Sequence, residues 1–218
     1  MPENNKQDFY GEEQINYAMI SLLSHKTRVL IVGAGRAGVL KAKHFLSQGF
    51  MVYIISSRVE DKENIKQLGE HENLIFKVQN YEKNYILDKH IVIIAVNDDK
   101  TRETIINDCE KLSKIYINCS DYKEGAAVIS AQKTCDNITL GINTKYANPK
   151  GAVFILDKIK NDISQYDNFI KYTSKIRNSV KNKKELKKQV LDFIFTEDFY
   201  FYIKKEKGNL VLKLFYDI

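Results

Sequence analysis

Short apolar runs punctuate the first two-thirds of the chain. They read Arg28-Val29-Leu30-Ile31-Val32, Met51-Val52-Tyr53-Ile54-Ile55, Leu74-Ile75-Phe76-Lys77-Val78, Ile91-Val92-Ile93-Ile94-Ala95-Val96 and Ile115-Tyr116-Ile117-Asn118-Cys119. Most are continuous rather than alternating and rich in β-branched residues, which predicts strands buried on both faces. Helical spacing lies between them. Ala42, Phe45, Leu46 and Gly49 fall at i, i+3, i+4 and i+7, and residues 100–113 set Ile105, Cys109 and Leu112 on one side. Strand–helix alternation of this kind predicts an α/β fold, a Rossmann-like doubly wound parallel sheet.

The pattern then changes. Two further strands are expected at Ala126–Ser130 and Ile138–Ile142, separated by a polar turn. From Pro149 the period becomes helical, with Val153, Leu156, Ile159 and Ile163, and later Leu186, Val190 and Phe193, marking apolar stripes. Pro149 suits a helix N-terminus. The tail from Phe199 to Tyr216 fits either short helices or a hairpin turning at Lys207-Gly208-Asn209. The expected organisation is a nucleotide-binding domain over 1–118, with 1–16 as an extension. A small β segment over 119–148 and a helical region over 149–218 follow.

The first apolar run ends in Gly33-Ala34-Gly35-Arg36-Ala37-Gly38, a Gly-x-Gly-x-x-Gly loop between a strand and a helix. That context gives the pattern its meaning. Gly33 permits a tight turn, Gly35 lets the backbone approach a pyrophosphate, and Gly38 allows close helix–strand packing. The helix that follows offers free N–H groups to the phosphates, with Arg36 and Ala37 in its first turn. No Asp or Glu ends the second strand, where such a loop usually has its partner for the adenosine ribose. Ser56-Ser57-Arg58 stands there instead. Serines suit ribose hydroxyls and leave NAD open; Arg58 suits a 2′-phosphate, and so NADP, or else simply faces solvent. Asn97 and Asp98, with Asp99, close the fourth strand and border the same cleft, where they either cap the next helix or also touch the cofactor.

Composition narrows the partners. The 34 Lys and Arg against 28 Asp and Glu give +6, and residues 145–218 alone hold 16 basic and 9 acidic residues. A basic face there suits nucleic acid, anionic lipid or a polyanionic small molecule, or is no more than a solvated helix surface. Basic–aromatic interleaving of a nucleic-acid motif is missing, which argues against nucleic acid. No apolar run approaches a membrane span, and the opening Met1-Pro2-Glu3-Asn4-Asn5-Lys6 is polar, so a cytoplasmic protein is expected. Cys109, Cys119 and Cys135 form no Cys-x-x-Cys pair, and His25, His44, His71 and His90 are scattered. No disulfide framework and no resident metal site are expected.

Taken in order, several segments resemble the precorrin-2 dehydrogenase family, the NAD-binding module of siroheme synthases. They are Met19-Ile20-Ser21-Leu22-Leu23 followed by Arg28 to Gly38, Ala95-Val96-Asn97-Asp98-Asp99, Ile117-Asn118-Cys119-Ser120-Asp121, and Ile138 to Pro149 with Gly141-Ile142-Asn143-Thr144. The resemblance spans roughly residues 17–160. It departs at Tyr122-Lys123-Glu124-Gly125, where the family often has a proline, and at Val128-Ile129-Ser130-Ala131. It implies NAD-dependent oxidation of precorrin-2 to sirohydrochlorin in siroheme and porphyrin biosynthesis, with ferrochelatase activity in some relatives. It also implies a homodimer built on the 119–148 segment and an anionic tetrapyrrole substrate. Asp121 matches the family's aspartate, as a base or as a residue that orients substrate. Asn118, Asn143 and Thr144 would lie near the tetrapyrrole. A non-catalytic regulatory NAD(H)-binding module is the alternative.

Overall fold

The computed structural model describes residues 14–216. The 1–16 extension thus falls largely outside the described residues. The described chain divides into two compact units, one of residues 18–129 and one holding 130 onward together with the segment up to Tyr17.

In the first unit, β1 (Arg28–Val32), α1 (Arg36–Ser47), β2 (Met51–Ser56), α2 (Asp61–Lys66), β3 (Leu74–Val78), β4 (Ile91–Ile94), α3 (Asp99–Lys111) and β5 (Ile115–Asn118) follow in order. The five strands make one parallel sheet ordered β3-β2-β1-β4-β5. Alternation within each strand sends neighbouring residues to opposite faces. Val29, Ile31, Val52, Ile54, Ile91 and Ile93 pack against Ala42, Phe45 and Leu46 of α1. Leu30, Val32, Ile55, Val92 and Ile94 pack against Ile105 and Cys109 of α3 and against Ile86. Ile86 lies in a short 3₁₀ turn, Lys83–Ile86, which replaces a full helix between β3 and β4. Each buried Val, Leu or Ile contributes about 1.5–3 kcal/mol, so both layers are needed to hold the sheet.

The strand expected over 126–130 does not form. Ala127 and Ile129 pack onto the α1-side core, and the Ala127 N–H donates to the Tyr116 carbonyl at 3.1 Å. The segment therefore screens the open edge of β5 instead of pairing in a hairpin, a use of apolar residues that a pattern alone does not separate from a strand.

The second unit opens on an antiparallel pair, β6 (Ala131–Thr134) and β7 (Thr139–Ile142), packed on α4 (Pro149–Ser164). Lys133 pairs with Asp157 of α4 at 2.9 Å. Pro149 occupies the first helical turn, and Asn148 caps it by accepting from the Gly151 N–H at 2.8 Å. Then come α5 (Asp167–Ser179), α6 (Lys184–Ile194), α7 (Glu197–Lys204) and α8 (Gly208–Tyr216). The ambiguous tail is thus two helices. Their core gathers Phe169, Ile176, Val180, Val190, Ile194, Phe199, Tyr200 and Leu212. Buried Asp167 accepts from the backbone N–H of Asn137 at 2.8 Å, which ties the β6–β7 turn to the start of α5. Among the described residues, no helix is long and apolar enough to cross a membrane.

Candidate dinucleotide-binding site

Strand order reverses between β1 and β4, and ligands in such sheets bind beyond the carboxyl ends of the strands at that reversal. A cleft of about 800 Å³ lies there. Its walls come from the loop after β1, the end of β2, the turn after β3 and the β4–α3 junction.

The three glycines divide the work as their spacing predicts. Gly33 has φ +100°, and a Cβ on it would stand 2.3 Å from the Ala95 carbonyl oxygen. A Cβ on Gly38 would stand 2.0 Å from the Gly33 carbonyl oxygen. These two glycines let loop, helix and β4 touch. Gly35 is different. An added Cβ would meet nothing nearer than Arg58 Nη2 at 4.0 Å, so the missing side chain leaves open space on the cleft. Gly35 is also the N-cap of α1, and no side chain caps that end. The first N–H groups of α1 therefore remain for a ligand anion. Gln79, beside Ser56 and on the cleft wall, carries a buried amide nitrogen with no partner among the described residues. The open volume, bare helix end and spare donor fit a dinucleotide.

Of the residues expected to hold a cofactor, Gly33, Gly35, Arg36, Ala37, Ser56, Ser57, Asn97 and Asp98 all line the cleft, with Arg58 beside them. Gly38 sits behind the wall and shapes it. Asp98 both borders the cleft and caps α3, accepting from the Thr101 N–H at 2.8 Å. That bond holds its carboxyl below the usual carboxylate range.

Sequence reasoning missed Asp61. It lies in the first turn of α2, is only 2% exposed, and lines the cleft. Its carboxylate accepts from the Ser56 hydroxyl, from Arg58 Nη2 at 2.7 Å and, at 3.4 Å, from Arg58 Nε. Asn64 Nδ2 donates to it at 3.1 Å and also to the Ala34 carbonyl in the glycine loop. Burial pushes the Asp61 carboxyl up, but the hydrogen bonds from Ser56, Arg58 and Asn64 and the Arg58 charge outweigh burial and hold it low. The available signal was Arg58-x-x-Asp61, an i, i+3 pair across a helix start. Gln79, Tyr81, Thr101 and Thr104 also line the cleft and carried no motif.

Of the residues expected to act on substrate, Asp121 and Asn118 belong to the same unit as the cleft, and Asn143 and Thr144 to the other. Asp121 is exposed, caps a short 3₁₀ turn by accepting from the Lys123 N–H at 2.9 Å, and is not part of the cleft wall. Asn118 is 2% exposed; its Nδ2 donates to Glu124 at 2.9 Å and its Oδ1 accepts from the Ser120 N–H at 2.9 Å. Asn143 and Thr144 follow β7 in the other unit, where Thr144 Oγ1 accepts from the Asn148 N–H at 2.6 Å.

Among solved structures, "SirC, precorrin-2 dehydrogenase" shares the fold with a TM-score of 0.62 at 18% identity, over 91% of this chain and 100% of that one. An imine reductase from Myxococcus stipitatus, a V8 variant in complex with NAD+, aligns over 43% of this chain and 31% of its own, at 20% identity and a TM-score of 0.32. No curated protein matches the sequence. A family model described as "Putative NAD(P)-binding" matches residues 20–132, the strands, glycine loop and cleft described above. That match covers more than half of the sequence, and the chain belongs to this NAD(P)-binding family.

Proposed function

We propose that the protein oxidises precorrin-2 to sirohydrochlorin with NAD as the hydride acceptor. The observation that carries this reading is the reach of the shared fold. It runs past the dinucleotide domain and takes in 91% of this chain and all of the precorrin-2 dehydrogenase chain. The ordered segments from Met19 to Pro149 support it independently. The glycine loop and the first turn of α1 hold the pyrophosphate, and Asn97 and Asp98 border the cleft beyond β4. Bound NAD+ supplies the site with a two-electron acceptor. One carbon–hydrogen bond of the macrocycle breaks as a hydride leaves, and one proton must follow. Asp121, exposed just past β5, takes that proton. Its Asn variant keeps the cap on the Lys123 N–H and removes the base. Chelatase activity, a cytoplasmic location and a homodimer through residues 119–148 accompany the proposal. The exposed Val153, Phe154 and Ile155 of α4, the helix that packs on β6 and β7, favour the dimer.

A non-catalytic NAD(H)-binding module is the second reading. What favours it is the engagement of Asp121 at a backbone N–H, away from the cleft wall. Anaerobic incubation with precorrin-2 and NAD, followed by the absorbance of sirohydrochlorin, separates the two. Turnover is expected, falling about 10²–10⁴-fold in Asp121→Asn at equal NAD occupancy. No turnover by a wild-type protein that binds NAD would reject the enzyme and leave the sensor. Near-normal turnover in Asp121→Asn would remove that residue from the chemistry.

A further inference from the structure

A strand-end carboxylate is the usual means by which such a cleft prefers a free ribose 2′-hydroxyl. This chain has Ser56 at that point and an arginine two residues later. Taken alone, Arg58 would attract a 2′-phosphate. The structure removes that freedom. Arg58 commits both Nη2 and Nε to Asp61, which is almost wholly buried while the Arg58 side chain remains 63% exposed. Four donor groups reach the Asp61 carboxylate, namely Ser56 Oγ, Arg58 Nη2, Arg58 Nε and Asn64 Nδ2. A carboxylate offers about four lone-pair positions, so this one is saturated. It has no vacant acceptor for a ribose hydroxyl and must act through its neighbours.

We infer that Asp61 is the positioning residue that sets cofactor choice: it neutralises Arg58, turns the Ser56 hydroxyl inward, and so denies a 2′-phosphate its cation. Three further features converge on this point. Ser56, Arg58 and Asp61 all line the cleft. The Gln79 N–H donates to the Ser56 carbonyl at 2.8 Å, which fixes the β2 end against the turn after β3. Asn64 ties the same carboxylate to the glycine loop through Ala34. A 2′-phosphate brought here would face a net-neutral Arg58–Asp61 pair whose anion is fixed and buried. A ribose with a free hydroxyl carries no charge and meets no such opposition.

This inference rests on the dinucleotide reading of the cleft. The experiment is calorimetric titration of the wild type, Asp61→Asn, Arg58→Ala and the double variant with NAD and with NADP, at two salt concentrations. The wild type is expected to prefer NAD. Asp61→Asn frees the Arg58 charge with little change of shape, and should shift the NADP-to-NAD affinity ratio at least tenfold toward NADP. That gain should shrink at high salt and vanish in the double variant. A merely structural role would weaken both cofactors together and leave the ratio where it was; that result overturns the inference. Should Asp61→Asn fail to fold, Arg58→Ala decides alone. It keeps the preference for NAD if the inference is right. If the wild type prefers NADP and Arg58→Ala loses that preference, Arg58 is itself the phosphate anchor and the inference falls. Binding of neither cofactor by the wild type would sink the dinucleotide reading and this inference with it, whereas tight but undiscriminating binding of both would sink this inference alone.

Discussion

Gly35 offers the cleanest separation of cofactor binding from folding, because its missing side chain faces space that the fold itself does not use. Its φ is −72°, open to any residue, and an added Cβ has no neighbour closer than 4.0 Å. Gly35→Val loses some N-cap propensity, about 1 kcal/mol at most, and gains back a few tenths from a stiffer unfolded chain. The melting temperature should therefore move by no more than about 4 °C. Binding responds differently. The valine methyls occupy the approach of a pyrophosphate to the bare N-terminus of α1. Losing two charge-assisted backbone hydrogen bonds at about 1.5 kcal/mol each removes about 3 kcal/mol, roughly a hundredfold in affinity. Gly33→Ala is the contrast. It places a side chain at φ +100° and 2.3 Å from a backbone oxygen, which costs about 3 kcal/mol of stability and lowers the melting temperature by roughly 6–12 °C. Paired calorimetry and thermal melts read both effects. Wild-type NAD affinity in a folded Gly35→Val protein would refute the assignment of the loop.

Other consequences follow from the same geometry. Burial and the neighbouring Asp108 charge push the Cys109 thiol up to about 12, so iodoacetamide at pH 8 should leave it unlabelled in the native protein; modification at the rate of a free thiol would contradict its burial. Asn118→Ala removes two hydrogen bonds, from the Ser120 N–H and to Glu124, whose other ends are open to solvent, and at about 0.5–1.5 kcal/mol each should cost about 1–3 kcal/mol in a denaturant titration; no change in the midpoint would mean that the Asn118 bonds contribute nothing. Asp61 sits below its ordinary value of 3.8 in the folded protein, so its stabilisation is fully present above that pH and is lost as pH falls through the lower folded-state value. The acid-unfolding transition of Asp61→Asn should accordingly be shallower than that of the wild type, and an identical pH profile would show that the Asp61 network does not favour the ionised form.

The sheet was legible because burial on both faces leaves a continuous apolar signature. Ile91 to Ile94 is buried throughout and reads as a strand without any help from its neighbours. β6 was not legible. Ala131-Gln132-Lys133-Thr134 is mostly polar and becomes a strand only because α4 lies against the pair and Asp157 meets Lys133. The apolar run just before it, Ala126 to Ile129, carried the stronger pattern and serves the β5 edge instead. The tail shows the same competition at a helix. Phe199-Tyr200-Phe201-Tyr202 favours a strand by propensity. Yet Thr196 Oγ1 accepts from the Phe199 N–H at 3.2 Å, and Glu197 and Asp198 occupy the first turn. The cap was written in the sequence and outweighed the aromatic run, of which Phe199 and Tyr200 are buried among Phe193, Tyr166 and Phe169 while Phe201 and Tyr202 stay exposed.

The site divides along a similar line, between residues whose role is conformational and residues whose role depends on a partner. Gly33, Gly35 and Gly38 can be read from spacing: Gly33 and Gly38 stand against backbone that any side chain would strike, and Gly35 leaves open space on the cleft. Asp61 cannot, because its one local signal, a basic residue three positions away, is shared by Glu63 with Lys66 on the same short helix and does not say which carboxylate is buried. Its distinction is that α2 begins where it turns Asp61 inward, beneath Ser56 and within reach of Arg58, while Glu63 faces out and pairs with Lys66 at 2.6 Å. The four donor contacts of Asp61 come from Asn64 on the same helix and from Ser56 and Arg58 just before it, at and just past the end of β2. The acid absent from the end of β2 is therefore present in space, displaced by five residues in sequence and reached through a serine. An arginine that looks like a phosphate ligand in one dimension is, in three, the counter-ion of that acid.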